Sequence, residues 1–300
     1  MRARAFAWLA EEVALRGDVL PRALLARGFS FKGARVPLLG PQGIFKPAVL
    51  AEAPLSITTA PDGPYDDAFA GDDLLHYRYR GADPQHRDNR ALRLALRERL
   101  PLIYLHGLAP GRYHAVWPVY VVGDDPARLT FAVACDDHAL AAPGGGPLDS
   151  VHDDDAAGRR RYVTAVVRQR LHQRAFRERV LEAYRRECAF CRLRRDELLD
   201  AAHILPDADP RGAPVVPNGL ALCKLHHAAF DRDLVGVRPD LVLEVRPDVR
   251  REKDGPTLVH SLQALHDAPM RPPRRPEARP RPEFLARRYE RFRASWARGA

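Results

Sequence analysis

Residues 188–231 gather most of the side chains in this chain that could do chemistry. They hold Cys188-x-x-Cys191, Asp200-Ala201-Ala202-His203-Ile204, Asn218-Gly219-Leu220 and Cys223-x-x-His226-His227-x-x-x-Asp231. Two sets interleave. Cys188, Cys191, Cys223 and a histidine have the paired-knuckle spacing of a structural Zn²⁺ site. A two-residue gap lets a tight turn aim two side chains at one ion, and two such turns complete a tetrahedron. The clip would staple a segment too small to bury a core alone. His226 or His227 could be the fourth ligand; the two-residue gap favours His226 and leaves its neighbour free. The second set is His203, Asn218, His227 and Asp231. Metal-assisted phosphodiester hydrolysis needs a general base to activate water and ligands for a divalent ion on the scissile phosphate.

The elements that would position these groups can be read locally. His203 sits in Ala202-His203-Ile204-Leu205-Pro206, a strand ending at Pro206. Asn218-Gly219 reads as a turn, with Leu220–Leu222 leading into a helix. His227 and Asp231, four apart, share one face of that helix. Strand, turn and helix would then surround one ion with His203 opposite. Upstream, Val167, Leu171, Phe176, Val180, Leu181 and Tyr184 recur at helical spacing, and the opposite face is nearly all Arg, so a basic amphipathic helix feeds into Cys188.

Residues 188–231 resemble the HNH endonucleases, whose site is a ββα-metal fold. Fifteen residues separate His203 from Asn218, nine separate Asn218 from His227, and four separate His227 from Asp231. The resemblance implies that His203 is the general base and that Asn218 fixes the loop that orients it. It implies that His227 binds the catalytic Mg²⁺ or Mn²⁺, with Asp231 as the second helical ligand. The cysteine pairs resemble the zinc-stapled branch of the family. Many members carry Asp or His immediately before the base, where this chain has Ala202. Metal binding would then rest on His227, Asp231 and either Asp200 or water.

Residues 28–137 have strand-and-turn texture, punctuated by Gly and Pro, with strands at Leu74–Tyr79, Leu102–His106, Ala115–Val122 and Leu129–Ala134 and a helix at Asn89–Arg99. The segment Tyr77-Arg78-Tyr79-Arg80-Gly81-Ala82-Asp83, with Asp88-Asn89-Arg90-Ala91-Leu92 and Pro101-Leu102-Ile103-Tyr104, resembles SRA domains, PUA-related barrels that grip DNA and flip a modified cytosine. That resemblance makes Tyr77, Tyr79, Arg80, Asp83 and Asn89 candidates for DNA contact, since flipping calls for an aromatic stacking partner and polar groups for the base edge. Equally, the aromatics could be core and Arg80-Gly81-Ala82-Asp83 a turn.

The expected fold class is α+β. Residues 1–150 form a mostly β, SRA/PUA-like recognition domain that opens on a helix carrying Phe6, Leu9 and Val13. An Ala/Gly/Pro/Asp-rich linker follows at 138–158. Residues 151–180 form a basic helical connector, and 181–270 the HNH nuclease domain, with short strands such as Leu241–Val245. Residues 271–300 form a Pro/Arg-rich tether and a helix with Leu285, Tyr289, Phe292 and Trp296 at helical spacing. Net charge is +9, with a local +10 over 158–195 and +7 over 271–300, so the remainder is acidic at −8. A general preference for Arg over Lys would not leave the remainder acidic. Positive charge concentrated beside the His…Asn…His series suits double-stranded DNA, modified or not. No stretch is apolar enough to span a bilayer and no secretory leader is legible, which points to a cytoplasmic protein without membrane partners. Three of the four cysteines fall in the clip, and the fourth, Cys135, reads as a small core residue. This usage suits a reducing compartment. Cutting both strands from a single site calls for a homodimer. The expected activity is metal-dependent cleavage of DNA, as in modification-dependent restriction. The alternative is a DNA-binding protein whose zinc module is purely structural.

Overall fold

The computed structural model describes residues 1–61, 74–135, 156–206, 209–253 and 255–296. The expected linker at 138–158 lies, as far as residue 155, outside them. The chain divides into two units, Met1–His172 and Gln173–Ala300.

The first unit opens with α1 (Arg2–Arg16), β1 (Val19–Pro21), α2 (Arg22–Arg27), β2 (Phe29–Phe31), β3 (Ala34–Val36), β4 (Ile44–Phe45) and β5 (Ser56–Thr59). It continues with β6 (Leu75–Arg78), α3 (Arg87–Arg97), β7 (Leu102–Ala109), β8 (Arg112–Asp125) and β9 (Thr130–Cys135). Seven of the strands make one sheet in the order β4-β5-β7-β8-β9-β6, with β1 also paired to β8. β5 and β7 run parallel, which requires a crossover, and α3 lies in the connecting segment. Side chains alternate along β7. Leu102 and Tyr104 enter one core with Leu92, Phe131, Val163 and Leu171, while Ile103 and Leu105 enter another with Leu9, Leu20 and Phe29. Both faces of the sheet are therefore covered. Cys135 is buried, as expected.

Helix α4 (Ala156–Ala183) is 28 residues long, and its residues from Gln173 onward belong to the second unit. There follow β10 (Leu199–His203), β11 (Gly219–Cys223), α5 (Lys224–Asp231), β12 (Val235–Val237) and β13 (Leu243–Val245). Helices α6 (Pro247–Arg251), α7 (Pro256–Ser261) and α8 (Pro282–Ser295) complete the unit. β10 and β11 form an antiparallel pair, Leu199 opposite Cys223 and His203 opposite Gly219. Gly219–Cys223 is thus a full strand, not a short lead into a helix; every one of its five residues is buried, so the run reads as continuously apolar and hides its period. Phe176, Val180, Leu199, Leu220, Leu222, Phe230 and Leu285 share one core.

The Pro/Arg segment before α8 is docked along the second unit instead of hanging as a free tether. Arg271 N–H donates to the Ala189 carbonyl (3.0 Å) and Arg281 N–H to the Pro217 carbonyl (3.2 Å), while Pro273 and Pro280 are buried. The helix after it closes the core with Phe284, Leu285 and Phe292. No helix among the described residues is long and apolar enough to cross a membrane.

Candidate functional site

The metal clip begins in a tight turn. Cys188 N–H donates to the Leu193 carbonyl (3.0 Å) and Arg192 N–H to the Cys188 carbonyl (2.9 Å), while Ala189 N–H reaches the Ala221 carbonyl of β11 (2.8 Å). The second pair straddles the start of α5, with Cys223 capping the helix and His226 in its first turn. His226 Nδ1 lies 3.4 Å from Cys188 Sγ and 3.3 Å from Cys223 Sγ, and Cys191 Sγ lies 4.0 Å from Cys223 Sγ. A tetrahedral zinc site with bonds of about 2.0–2.3 Å has edges of roughly 3.5–3.8 Å, so these three separations lie within a few tenths of an ångström of such edges. All four lie within 4.8 Å of one another, and the cluster could bind zinc. His226 Nε2–H donates to the Ser261 carbonyl (2.7 Å), which leaves Nδ1 as its ligand atom. The adjacent Glu187 is buried between Arg194 (2.8 Å) and Arg271 (3.4 Å), which brace the first knuckle.

His227, one residue on, turns away from the clip. Its Nε2 lies 3.2 Å from Asp231 Oδ2, one helical turn along α5, and its Nδ1 lies 3.6 Å from Asp200 Oδ2 on β10. Cis ligands on an octahedral ion with bonds of about 2.1 Å stand roughly 3.0 Å apart, so Nε2 and the Asp231 carboxylate fit one divalent ion. Asp200 faces the other ring nitrogen, from where its carboxylate could orient His227. Its carboxyl is held below the usual range: burial alone would raise it, but His227 and Lys224, whose Nζ is 3.0 Å away, outweigh that. The His227 imidazole is pushed up, chiefly by Asp200, against its own burial. Ala202 is fully buried opposite Leu220, and its methyl group offers no ligand atom.

His203 ends β10. Its ring stacks on Phe176 of α4, with centroids 4.1 Å apart and planes 19° from parallel. A Cβ on the paired Gly219 would come within 2.4 Å of Val180 and 2.9 Å of Phe176, so only glycine lets α4 approach and the stack form. Asn218 is fully buried. Its side-chain oxygen accepts from Leu205 N–H (2.9 Å), and its amide donates to the carbonyls of Leu205 (3.0 Å) and Ala213 (3.1 Å). With Ile204 N–H bonded to the Asn218 carbonyl (2.9 Å), both sides of the segment after His203 are clamped.

His203, Ile204, Pro206, His227 and Asp231 line one cleft of about 230 Å³ together with Arg288 and Arg291 of α8. Arg288 is buried, paired with Asp233 (2.5 Å), bonded to the Phe230 carbonyl and lying 4.4 Å over the Phe230 ring. Arg291 is half exposed at the cleft, held by Asp233 Oδ2 (3.3 Å) and the Asp231 carbonyl (3.3 Å). The sequence signal for Arg291 was faint: a helix with a core stripe and many arginines gives no sign of which arginine faces the cleft.

In the first unit, Tyr77, Tyr79 and Asn89 are buried. The Tyr79 hydroxyl bonds Asp124 and Arg93, and its ring stacks on Phe131 at 4.6 Å. Asn89 pairs its amide with Arg80 N–H (2.9 Å) and with the carbonyls of Arg80 (3.2 Å) and Asp83 (2.8 Å). These three residues hold the segment carrying Arg80 and Asp83 and present no face to a base. Arg80 is ion-paired with Asp88 (2.6 Å), and Asp83 is exposed, with Oδ1 accepting from Gln85 N–H (2.8 Å).

Residues 188–238 match the family model described as HNH endonuclease. No curated protein matches the chain. Among solved structures, the chain is similar to a "Modification dependent TagI restriction endonuclease", with 16% identity over 94% of this chain and 90% of that one and a TM-score of 0.31. It is also similar to the "Type IV phosphorothioation-dependent restriction endonuclease ScoMcrA", with 17% identity over 60% of this chain and 54% of that one and a TM-score of 0.22.

Proposed function

Residues 188–238 are an HNH endonuclease domain, and from that premise we propose that the chain cuts DNA by hydrolysing phosphodiester bonds. The observation that carries the proposal is the cleft in which His203 faces the His227–Asp231 pair and Arg291. His203 takes a proton from water, and the water oxygen attacks phosphorus. The bond to the 3′-oxygen breaks as that oxygen takes a proton from solvent, leaving a 3′-OH and a 5′-phosphate. Asn218 clamps the backbone on the far side of His203, and Phe176 fixes the ring plane, so the base is held ready before substrate arrives. His227 Nε2 and Asp231 would hold Mg²⁺ or Mn²⁺, which when bound stabilises charge on the phosphate and the leaving oxygen. Arg291 supplies a cation to the same phosphate. Zn²⁺ on Cys188, Cys191, Cys223 and His226 would be structural.

Within this reading the first unit selects the DNA, and the SRA-like resemblance of residues 77–104 makes modified cytosine its target. The buried state of Tyr77 and Tyr79 means that stacking on a base would fall to other residues.

His203→Ala should lower cleavage of supercoiled DNA by at least about 10³-fold with Mg²⁺ or Mn²⁺, while zinc content and DNA affinity stay at wild-type levels. Wild-type protein that cuts no DNA with any divalent ion would overturn the nuclease reading and leave a DNA-binding zinc module. A digest panel of unmodified, methylated and hydroxymethylated DNA tests the finer claim; equal rates on all three would remove modification dependence alone.

A further inference from the structure

The first unit contains a groove of about 1270 Å³ between the segment Pro41–Pro54 and helix α3. Small-molecule sites typically occupy about 300–1,000 Å³ and enclose their ligand, so this open trough suits a polymer better than a metabolite. Its floor is apolar: Ile44, Phe45, Ala91 and Leu94, with Phe45, Ala91 and Leu94 partly exposed. Its rim is cationic. Arg87, Arg90 and Arg97 recur at helical spacing along the face of α3 that also carries Ala91 and Leu94, and Lys46 stands on the opposite wall. All four are exposed. Arg93, which also lines the groove, is bound to Asp124 (2.7 Å). Lys46 Nζ donates to the Leu50 and Ala51 carbonyls (2.9 and 3.2 Å), which steady it without neutralising it. Among the described lining residues, Glu52 and Asp88 are the acids; Asp88 is paired with Arg80 (2.6 Å) and also lies 3.4 Å from Arg87. Arg97 pairs with the exposed Glu98 (3.0 Å), and such exposed pairs are weak enough for a phosphate to replace.

We propose that this groove binds an unpaired nucleic-acid strand, with phosphates along the Arg87–Arg90–Arg97 rim and a base stacked on Phe45. A cationic track beside a partly exposed aromatic is the combination that holds single strands: charge follows the backbone and the ring accepts any base face. An acidic protein segment would use the rim and gain little from the ring. The inference rests on the nuclease reading for the identity of the strand as DNA.

The test uses the full chain carrying His203→Ala, without added Mg²⁺ or Mn²⁺, and a fluorescein-labelled single-stranded 20-mer. Arg90→Glu/Arg97→Glu should weaken binding by about tenfold or more at 100 mM salt and flatten the slope of log K against log[salt] by roughly 1.4. Arg27→Glu/Lys32→Glu makes the same change in net charge at exposed positions outside the groove and should cost less than about threefold. Phe45→Leu should cost about fivefold or more with the salt slope unchanged, its fold checked by circular dichroism. Equal losses for the groove and control pairs would overturn the proposal. So would displacement of the 20-mer by polyglutamate as effectively as by unlabelled oligonucleotide. Cleavage by the otherwise wild-type chain is measured in parallel, so that a failed groove and a failed nuclease give different results: cutting without groove-dependent binding sinks the groove, and groove-dependent binding without cutting sinks the nuclease.

Discussion

At the scale of single residues, the second unit separates two adjacent histidines by what their ring nitrogens meet. His226 gives Nε2–H to the Ser261 carbonyl and keeps Nδ1 for the sulfur atoms; His227 points Nδ1 toward Asp200 (3.6 Å) and Nε2 toward Asp231 (3.2 Å). The different surroundings of the two rings follow from the partner each finds, and they would let neighbours on one helix serve different ions, as proposed. Carboxylates behind ligating histidines are typically worth 10–100-fold in metal affinity or activity. Asp200→Asn should therefore raise the Mn²⁺ concentration for half-maximal cleavage by about tenfold while bound zinc is unchanged; an unaltered Mn²⁺ titration would show that Asp200 does not orient His227. His114, in the first unit, supplies a pH test. Burial, helped by the nearby charge of Arg170, lowers its pKa from 6.5 to about 4, with Nδ1 3.0 Å from the Asp18 carbonyl. The unfolded chain binds that proton first, so this contribution to stability is complete above about pH 6.5 and is lost as pH falls toward 4. The gap sets a ceiling of about 3 kcal/mol, reduced because the ring is partly exposed. His114→Gln should make urea unfolding of the first unit less dependent on pH between 7 and 4.5, and identical pH profiles for the two proteins would refute the assignment.

At the scale of elements, the site depends on how closely α4 approaches the β10–β11 pair. Gly219 makes room for Phe176, and Phe176 sets the plane of His203. Gly219→Ala should cost about 1–3 kcal/mol through overpacking and should slow cleavage about tenfold or more with DNA affinity retained. Wild-type cleavage in a folded Gly219→Ala protein would show that the ring needs no such support. The sequence made the cysteine spacing, the strand carrying His203 and the helix carrying His227 and Asp231 legible, because each is a short-range pattern. In the first unit the strands at 75–78, 102–109 and 130–135 and helix α3 were legible for the same reason. What escaped was long-range. β11 has no polar alternation because both of its faces are buried, so it looked like a lead into a helix. Tyr77 and Tyr79 could be read either as partners for a base or as core, and only tertiary packing against Phe131 and the bonds to Asp124 and Arg93 decide for the core. Arg291 reaches the cleft from sixty residues beyond Asp231, a distance in sequence that no local pattern spans.

At the scale of the whole molecule, the described residues build separate cores. Those of the sheet unit draw on residues up to Leu171, whereas the nuclease unit's core begins at Phe176. Helix α4 contributes to both, with Val163, Val167 and Leu171 in one and Phe176, Val180 and Leu181 in the other. The four-ligand clip lies wholly in the second unit, where it ties the first knuckle to the start of α5, while the first unit has none of its ligands. Structural zinc sites contribute roughly 10–16 kcal/mol of apparent binding free energy in small domains, enough to decide whether such a unit folds. Removing the ion should therefore act on one unit and spare the other. Calorimetry of the zinc-loaded protein should show two transitions; 1,10-phenanthroline, or Cys191→Ser, should abolish one or lower it by more than about 10 °C and leave the other in place. Circular dichroism after chelation should keep the strand signal of the first unit, and cleavage should be lost with the missing transition. One transition shifting as a whole would mean that the helix shared by the two cores couples their unfolding, and a chelator-resistant profile would mean that the clip holds no structural metal.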